Sequence, residues 1–288
     1  MNFLSGWLTD WVREGLIEAI MARFAGLFDT INAEVSSIAA NVGQTPGEFN
    51  PGVLAMIQNL SETAVIPIAG MILTFILCYE LIQVIIQKNN MHDFGVFDLY
   101  KWMFKTFCAV FILTHTFDIV MFVFALAQNV INASAGAITD SLELSAEGAL
   151  AGLEAQLQTM GIWELMGLWL ETFLINICLL ILTIVIFVII YGRMIEIFLV
   201  VSIAPIPLST FANREWGSMG NNYLKSLFAL AFQGFLIMVC VAIYAALVQN
   251  IPASPNIHVS LWALVGYTVL LAMCLLRTHT VAKAVFSC

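Results

Sequence analysis

Over 288 residues the chain is 61% hydrophobic and only 10% charged, with a net charge of −9 and a mean hydropathy of +0.96. A soluble domain carries about 25% charged residues, so an ordinary soluble fold is excluded. Several uncharged runs approach the ~20 residues needed to cross a bilayer, and the ten-residue alternation of a membrane barrel is absent, which defines an all-α, polytopic helical membrane protein.

Residues 2–31 carry apolar groups at 3/4 spacing, among them Trp7, Trp11, Ile17, Phe24 and Ile31, with Asp10, Arg13, Glu14, Glu18 and Arg23 on the other face. This pattern predicts an amphipathic helix, and the charges make it a poor span. Two readings stand: a helix in the membrane interface with Trp7 and Trp11 as headgroup-level anchors, or a helix packed on the protein itself. Residues 41–52, with Gly43, Pro46, Gly47, Pro51 and Gly52, read as a linker. The expected division is therefore 1–52, interfacial helix and linker, and 53–288, a transmembrane helical domain.

Five spans are expected, at about 62–87, 102–131, 165–191, 224–248 and 259–276. Pro67 stands near the start of the first, where proline is tolerated. Residues 132–164 form a polar connection without Lys or Arg, with a surface helix suggested by Leu150, Leu153, Leu157 and Met160. Between the third and fourth spans a second apolar run, 197–211, contains Pro205 and Pro207, each of which removes a backbone donor and clashes with the preceding turn.

Lys88, Lys101, Lys105, Arg193, Arg214, Lys225, Arg277 and Lys283 flank one set of connections, and 132–164 and 250–258 have no basic residue. The positive-inside rule then places the N-terminus outside and the C-terminus inside. Run 197–211 must dip in and return as a re-entrant segment covered by protein or water. Six full spans are the rival, with one charge cluster on the wrong side.

No catalytic motif or paired-carboxylate pattern is present, so no enzyme is expected. The six cysteines lack metal or disulfide spacing and read as packing residues, and no cleavable signal peptide is expected. Polar groups inside spans are the informative feature, since an ionisable group at a helix centre costs about 2.5–3.5 kcal/mol on insertion scales. The candidates are Glu80, His115, Asp118, Glu171 and Asn176, as lumen or helix contacts. His115 and Asp118 share a helix face, and either proton coupling or a mutually satisfied polar pair explains them. Arg193 and Glu196, one turn apart before the proline run, suggest an ion pair, a hinge or a subunit contact, with Pro205, Pro207, Arg214 and Trp216 completing that element.

At Tyr191–Gly192–Arg193–Met194–Ile195–Glu196, at Ser202 to Leu208, and at Arg214–Glu215–Trp216 leading to Lys225, the chain resembles the TrbL-type polytopic subunit of type IV secretion systems, in the short form of Gram-positive conjugative elements. The resemblance implies a ring, pentameric in some relatives, at the base of a translocation apparatus in the cytoplasmic membrane. It implies other secretion subunits and ATPases as partners, and a DNA–relaxase substrate met only transiently. Membrane lipids complete the partners. No cofactor or metal is expected, and a bound phospholipid is the one small molecule allowed for. DNA affinity comes mainly from Lys and Arg on phosphates, so a chain of net charge −9 is no DNA-gripping protein by itself. The competing readings are a small-solute or proton-coupled transporter, centred on His115 and Asp118, and a pure membrane scaffold.

Overall fold

The computed structural model describes residues 2–87, 96–139, 153–213, 215–249 and 257–287, with only the backbone described at 2–10, 87 and 135–139. Among the described residues there is no strand. Five helical segments of the described residues are long and apolar enough to cross a membrane: Pro51–Ile86, Thr116–Ser134, Ile162–Ala212, Gly217–Gln249 and Ile257–Phe286. Each expected span overlaps one of them. The chain forms two compact units, Met1–Val42 with Asn132–Ile190 and Leu236–Arg277, and Gly43–Ile131 with Tyr191–Phe235 and Thr278–Cys288.

In the first unit, α1 (Asn2–Val42) is a single helix of 41 residues, about 60 Å long at 1.5 Å per residue. It outruns the expected end at residue 31 because 32–42 contain neither Gly nor Pro, and Gly43, a residue suited to the position after a helix, follows its last turn. Ile20, Phe24, Leu27, Ile31 and Ile38 are buried at spacings that put them on one stripe. Part of that stripe lies along α8 (Ile162–Ser202), where Ile31 shares a small cavity with Leu179 and Ile186; Arg23, expected on the opposite face, also turns to α8, donating to the Trp169 carbonyl at 3.1 Å with its guanidinium 4.3 Å from the centre of the Trp169 ring. From Ile20 onward, α1 therefore uses its apolar stripe on the protein itself. A helical turn at 153–157 (α7) contributes buried Leu157 and falls within the surface helix expected there.

The second unit opens with capped helix starts where a linker was expected. Pro46 and Pro51 occupy first-turn positions, after Thr45 and Asn50 as N-caps, of α2 (Pro46–Phe49) and α3 (Pro51–Leu60). Proline belongs there, because the first N–H groups of a helix have no intrahelical partner anyway. A π turn, Ser61–Val65, joins α3 to α4 (Ile66–Gln87). Pro67 can neither bond the Thr63 carbonyl nor tolerate it at normal spacing, and the wider turn just before it accommodates that mismatch.

The expected second span is two helices, α5 (Val96–Thr114) and α6 (Thr116–Thr139), interrupted at His115. Thr114 and Thr116 donate to the carbonyls of Val110 and Ile112 at 3.0 and 2.9 Å, back-bonding that bends helices. The backbone bonds His115–Phe111 and Ile119–His115 persist, so the interruption is local.

α8 runs past the expected end at residue 191 and stops at Ser202, shortly before Pro205, as the two prolines require. The short α9 (Pro205–Ser209) and a 3-10 turn, Thr210–Ala212, follow. The proline-broken segment is thus present but shorter than 197–211, since 197–202 extend α8. Pro205, Pro207 and Leu208 are buried, and Ile206 packs on the cluster of Leu73, Ile76, Leu77, Ala109 and Leu113 from α4 and α5. α10 (Gly217–Gln249) and α11 (Ile257–Phe286) complete the chain.

Candidate functional site

A polar cluster of the second unit lies where the proline turn meets α4 and α5. Glu80 forms an ion pair with Lys105, and its other oxygen accepts from Asn213 Nδ2 at 3.0 Å. Asn213, itself buried, accepts the backbone N–H groups of Glu215 and Trp216 on its Oδ1 at 2.7 and 3.2 Å. Gln83 donates to Glu215 at 3.3 Å, and Trp102 Nε1 donates to the Leu77 carbonyl at 3.2 Å. Beneath them the Thr210 hydroxyl donates to Pro207 O at 2.7 Å and accepts from Gly220 N at 3.2 Å. Gly220 is required there: a Cβ would stand 2.8 Å from Pro207 O, a backbone atom that cannot move aside. The Trp216 ring lies 6.3 Å from that of Phe75. A carboxylate, an ammonium and an amide thus lock the turn after the prolines onto two helices. Glu80 and Trp216 were expected to matter, whereas Asn213 carried no signal beyond a polar residue in a turn. Arg214 lies outside the described residues.

Arg193 and Glu196 turn to different partners. Arg193 is 6% exposed and reaches the Ala231 carbonyl at 3.5 Å, while its Nε has no hydrogen-bond partner. Glu196 lies 3.6 Å from His279 of α11. Gly234 makes the approach of Arg193 feasible, since a Cβ there would be 2.8 Å from Nη2 and 2.6 Å from Ile131 Cδ1. Gln233 on the same helix donates to Thr278 at 3.2 Å.

His115 and Asp118 are both exposed and are not joined. His115 stacks on Phe111 at 4.3 Å and its Nδ1 lies 3.1 Å from the Phe111 carbonyl. In the first unit Glu171 pairs with His258. Asn176 is exposed, on an outer face of α8 shared with Phe173, Ile177 and Leu180. Trp11 is 65% exposed, and the side chain of Trp7 lies outside the described residues. One carboxylate went unnoticed in the sequence: Glu34 of α1 stands beside Thr183, Tyr244 and Thr268. Burial pushes its carboxyl up, opposed by the Thr183 hydroxyl. Glu48, by contrast, is held below the ordinary carboxylate range, first by the Thr45 backbone N–H and then by Gln128 and the Thr45 hydroxyl. Among the described residues no group of His, Cys, Asp and Glu could hold a metal ion.

Long apolar helices whose outer faces carry Phe, Ile and Leu, with polar groups gathered at a turn and at helix contacts, define a multi-pass helical membrane protein. A family model described as "TrbL/VirB6 plasmid conjugal transfer like protein" matches residues 31–205, and the chain belongs to that family. It is therefore a component of a conjugal transfer, type IV secretion apparatus. The family is a structural transfer-system component and not a known enzyme family. The match begins inside α1 and ends at Pro205, so it takes in Arg193, Glu196 and the first proline, but not the Trp216 turn. No curated protein and no solved structure is significantly similar to the chain.

Proposed function

We propose that this chain is a channel or scaffold subunit in the cytoplasmic membrane, assembled as a homo-oligomeric ring that assists passage of a DNA–relaxase substrate. The family match over residues 31–205 carries this reading. The apolar outer faces support it: on α8 alone Phe173, Ile177, Leu180, Ile181 and Ile184 are exposed, which suits lipid on one side and a neighbouring subunit on another. The Lys and Arg distribution favours a cytoplasmic location for the turn around Asn213 and Trp216 and an outer N-terminus. The lock at that turn then gives soluble partners, ATPases among them, a rigid platform. Arg193, Glu196, Pro205 and Pro207 join it as hinge or subunit-contact residues, and Trp11 with Trp7 serves as an interface anchor. The negative net charge assigns the gripping of DNA to partners.

A transporter centred on His115 and Asp118 has less support, because the two side chains do not meet. Purification in nanodiscs followed by native mass measurement and two-dimensional class averaging tests the proposal. A symmetric ring of several copies is expected. A monomer that stays monomeric at high protein density, with transfer of the element undiminished when the gene is removed, refutes it.

A further inference from the structure

A cavity of about 20 Å³ opens in the first unit between α1, α8, α10 and α11, enough for one water-sized particle. Its polar lining is Thr30 and Glu34 of α1, Thr183 of α8, Tyr244 of α10 and Thr268 of α11. Three of these helices are candidate spans, and the remaining walls are aliphatic.

Three of the four hydroxyl protons around this cavity are committed. Thr30 donates to the Gly26 carbonyl at 2.7 Å, and Thr268 donates to the Leu264 carbonyl at 2.9 Å. Each hydroxyl has one proton, so in the contact of 3.0 Å between Tyr244 and Thr268 the phenol is the donor. Thr183 faces the same cavity as Glu34, and toward an ionised carboxylate its hydroxyl can only donate. Apart from the Thr183 hydroxyl, what remains facing the space is acceptors: a lone pair of buried Tyr244, one of exposed Thr30, and the half-buried carboxylate. Among the described residues the cavity lining holds no Lys, Arg or His, and Tyr244 is its one titratable group besides Glu34. Tyr244 and Thr268 are buried, and buried acceptors without donors are costly.

We propose that this cavity is a proton-binding site, in which Glu34 takes up a proton and, as a neutral acid, supplies the missing donor to the oxygen of Tyr244, directly or through a single bridging water. The proton comes from bulk solvent and returns there when Glu34 ionises, so no other reactant is needed. Protonation strengthens the seating of α1 on α8, α10 and α11, and ionisation weakens it. The site is independent of how many copies assemble.

The test uses the full-length protein in nanodiscs. Difference infrared spectroscopy across acid to alkaline pH should show the carbonyl stretch of a protonated carboxylic acid that Glu34→Gln abolishes. Thr183→Val, which removes the donor to the ionised form, should move the titration midpoint up. Tyr244→Phe, which removes the acceptor of the acid proton, should move it down. The thermal midpoint of the wild type should fall as pH rises through that titration, and that of Glu34→Gln should not. A merely structural Glu34 would leave both midpoint shifts at zero, and that result overturns the proposal. So does a thermal midpoint that follows sodium at fixed pH rather than pH at fixed sodium, which would make the occupant a metal cation. If Glu34→Gln fails to fold, the opposed shifts of the other two variants still decide.

Discussion

Replacing Asn213 tests the lock at the proline turn. Alanine there removes one amide donor to Glu80 at 3.0 Å and the acceptor of two backbone N–H groups at 2.7 and 3.2 Å. A hydrogen bond to a charged group contributes about 1.5–3 kcal/mol and a neutral one about 0.5–1.5. Because Asn213 is buried, water replaces these bonds poorly, and the expected loss is about 3 kcal/mol. For a chain of this size about 2–4 °C accompanies each kcal/mol, so the midpoint should drop by roughly 6–12 °C in nanodisc melts. Asn213→Asp separates the two halves of the lock. It keeps the acceptor for Glu215 and Trp216 but sets a second carboxylate against Glu80, a repulsion of up to about 4 kcal/mol at an effective dielectric of 20 that Lys105 partly offsets. Asn213→Asp should therefore be about as damaging as alanine, and adding Glu80→Gln should restore at least half of the loss. If Asn213→Asp melts like the wild type while alanine does not, the bond to Glu80 contributes nothing and the lock reduces to a local turn cap.

Gly234→Ala brings a Cβ to 2.6 Å from Ile131 Cδ1 and 2.8 Å from Arg193 Nη2; overpacking of about 1–3 kcal/mol outweighs the helix-propensity gain of about 1 kcal/mol. A lowered midpoint is expected, and Ile131→Val in the same background should recover part of it; a stabilised Gly234→Ala contradicts the close approach. At the start of α2, Thr45→Ala should cost about 1 kcal/mol as a lost N-cap. Because the Glu48 carboxyl is held below its ordinary 4.5, its contribution is complete above that value and is lost as pH falls through the lowered folded value. Acid unfolding curves of Glu48→Gln should lack that limb, and curves that superimpose on the wild type refute the assignment.

Much of the architecture is local, and so was legible. Crossing hydrocarbon requires runs of apolar residues with every backbone group bonded within the helix, and such runs can be located without any tertiary knowledge. Proline acts equally locally, so the end of α8 before Pro205 and the first-turn places of Pro46 and Pro51 follow from backbone chemistry. α1 and α8 run past the expected ends at residues 31 and 191. Arg193 sits inside α8 without ending it, since its guanidinium finds space over Gly234 of another helix.

The membrane class, the approximate places of the long apolar helices and the position of the proline break are local properties of the chain. Those depend on the composition of contiguous stretches, and the energy of transferring a stretch into lipid is close to a sum over its residues. Which polar groups meet depends instead on long-range packing. Glu80 finds Lys105 across 25 residues and Asn213 across 133, because a buried polar side chain is satisfied by what folding brings within about 3 Å, and Glu34 shares a small cavity with hydroxyl groups of three distant helices. His115 and Asp118, adjacent in sequence pattern, remain apart for the same reason: each is exposed, and nothing compels exposed groups to pair.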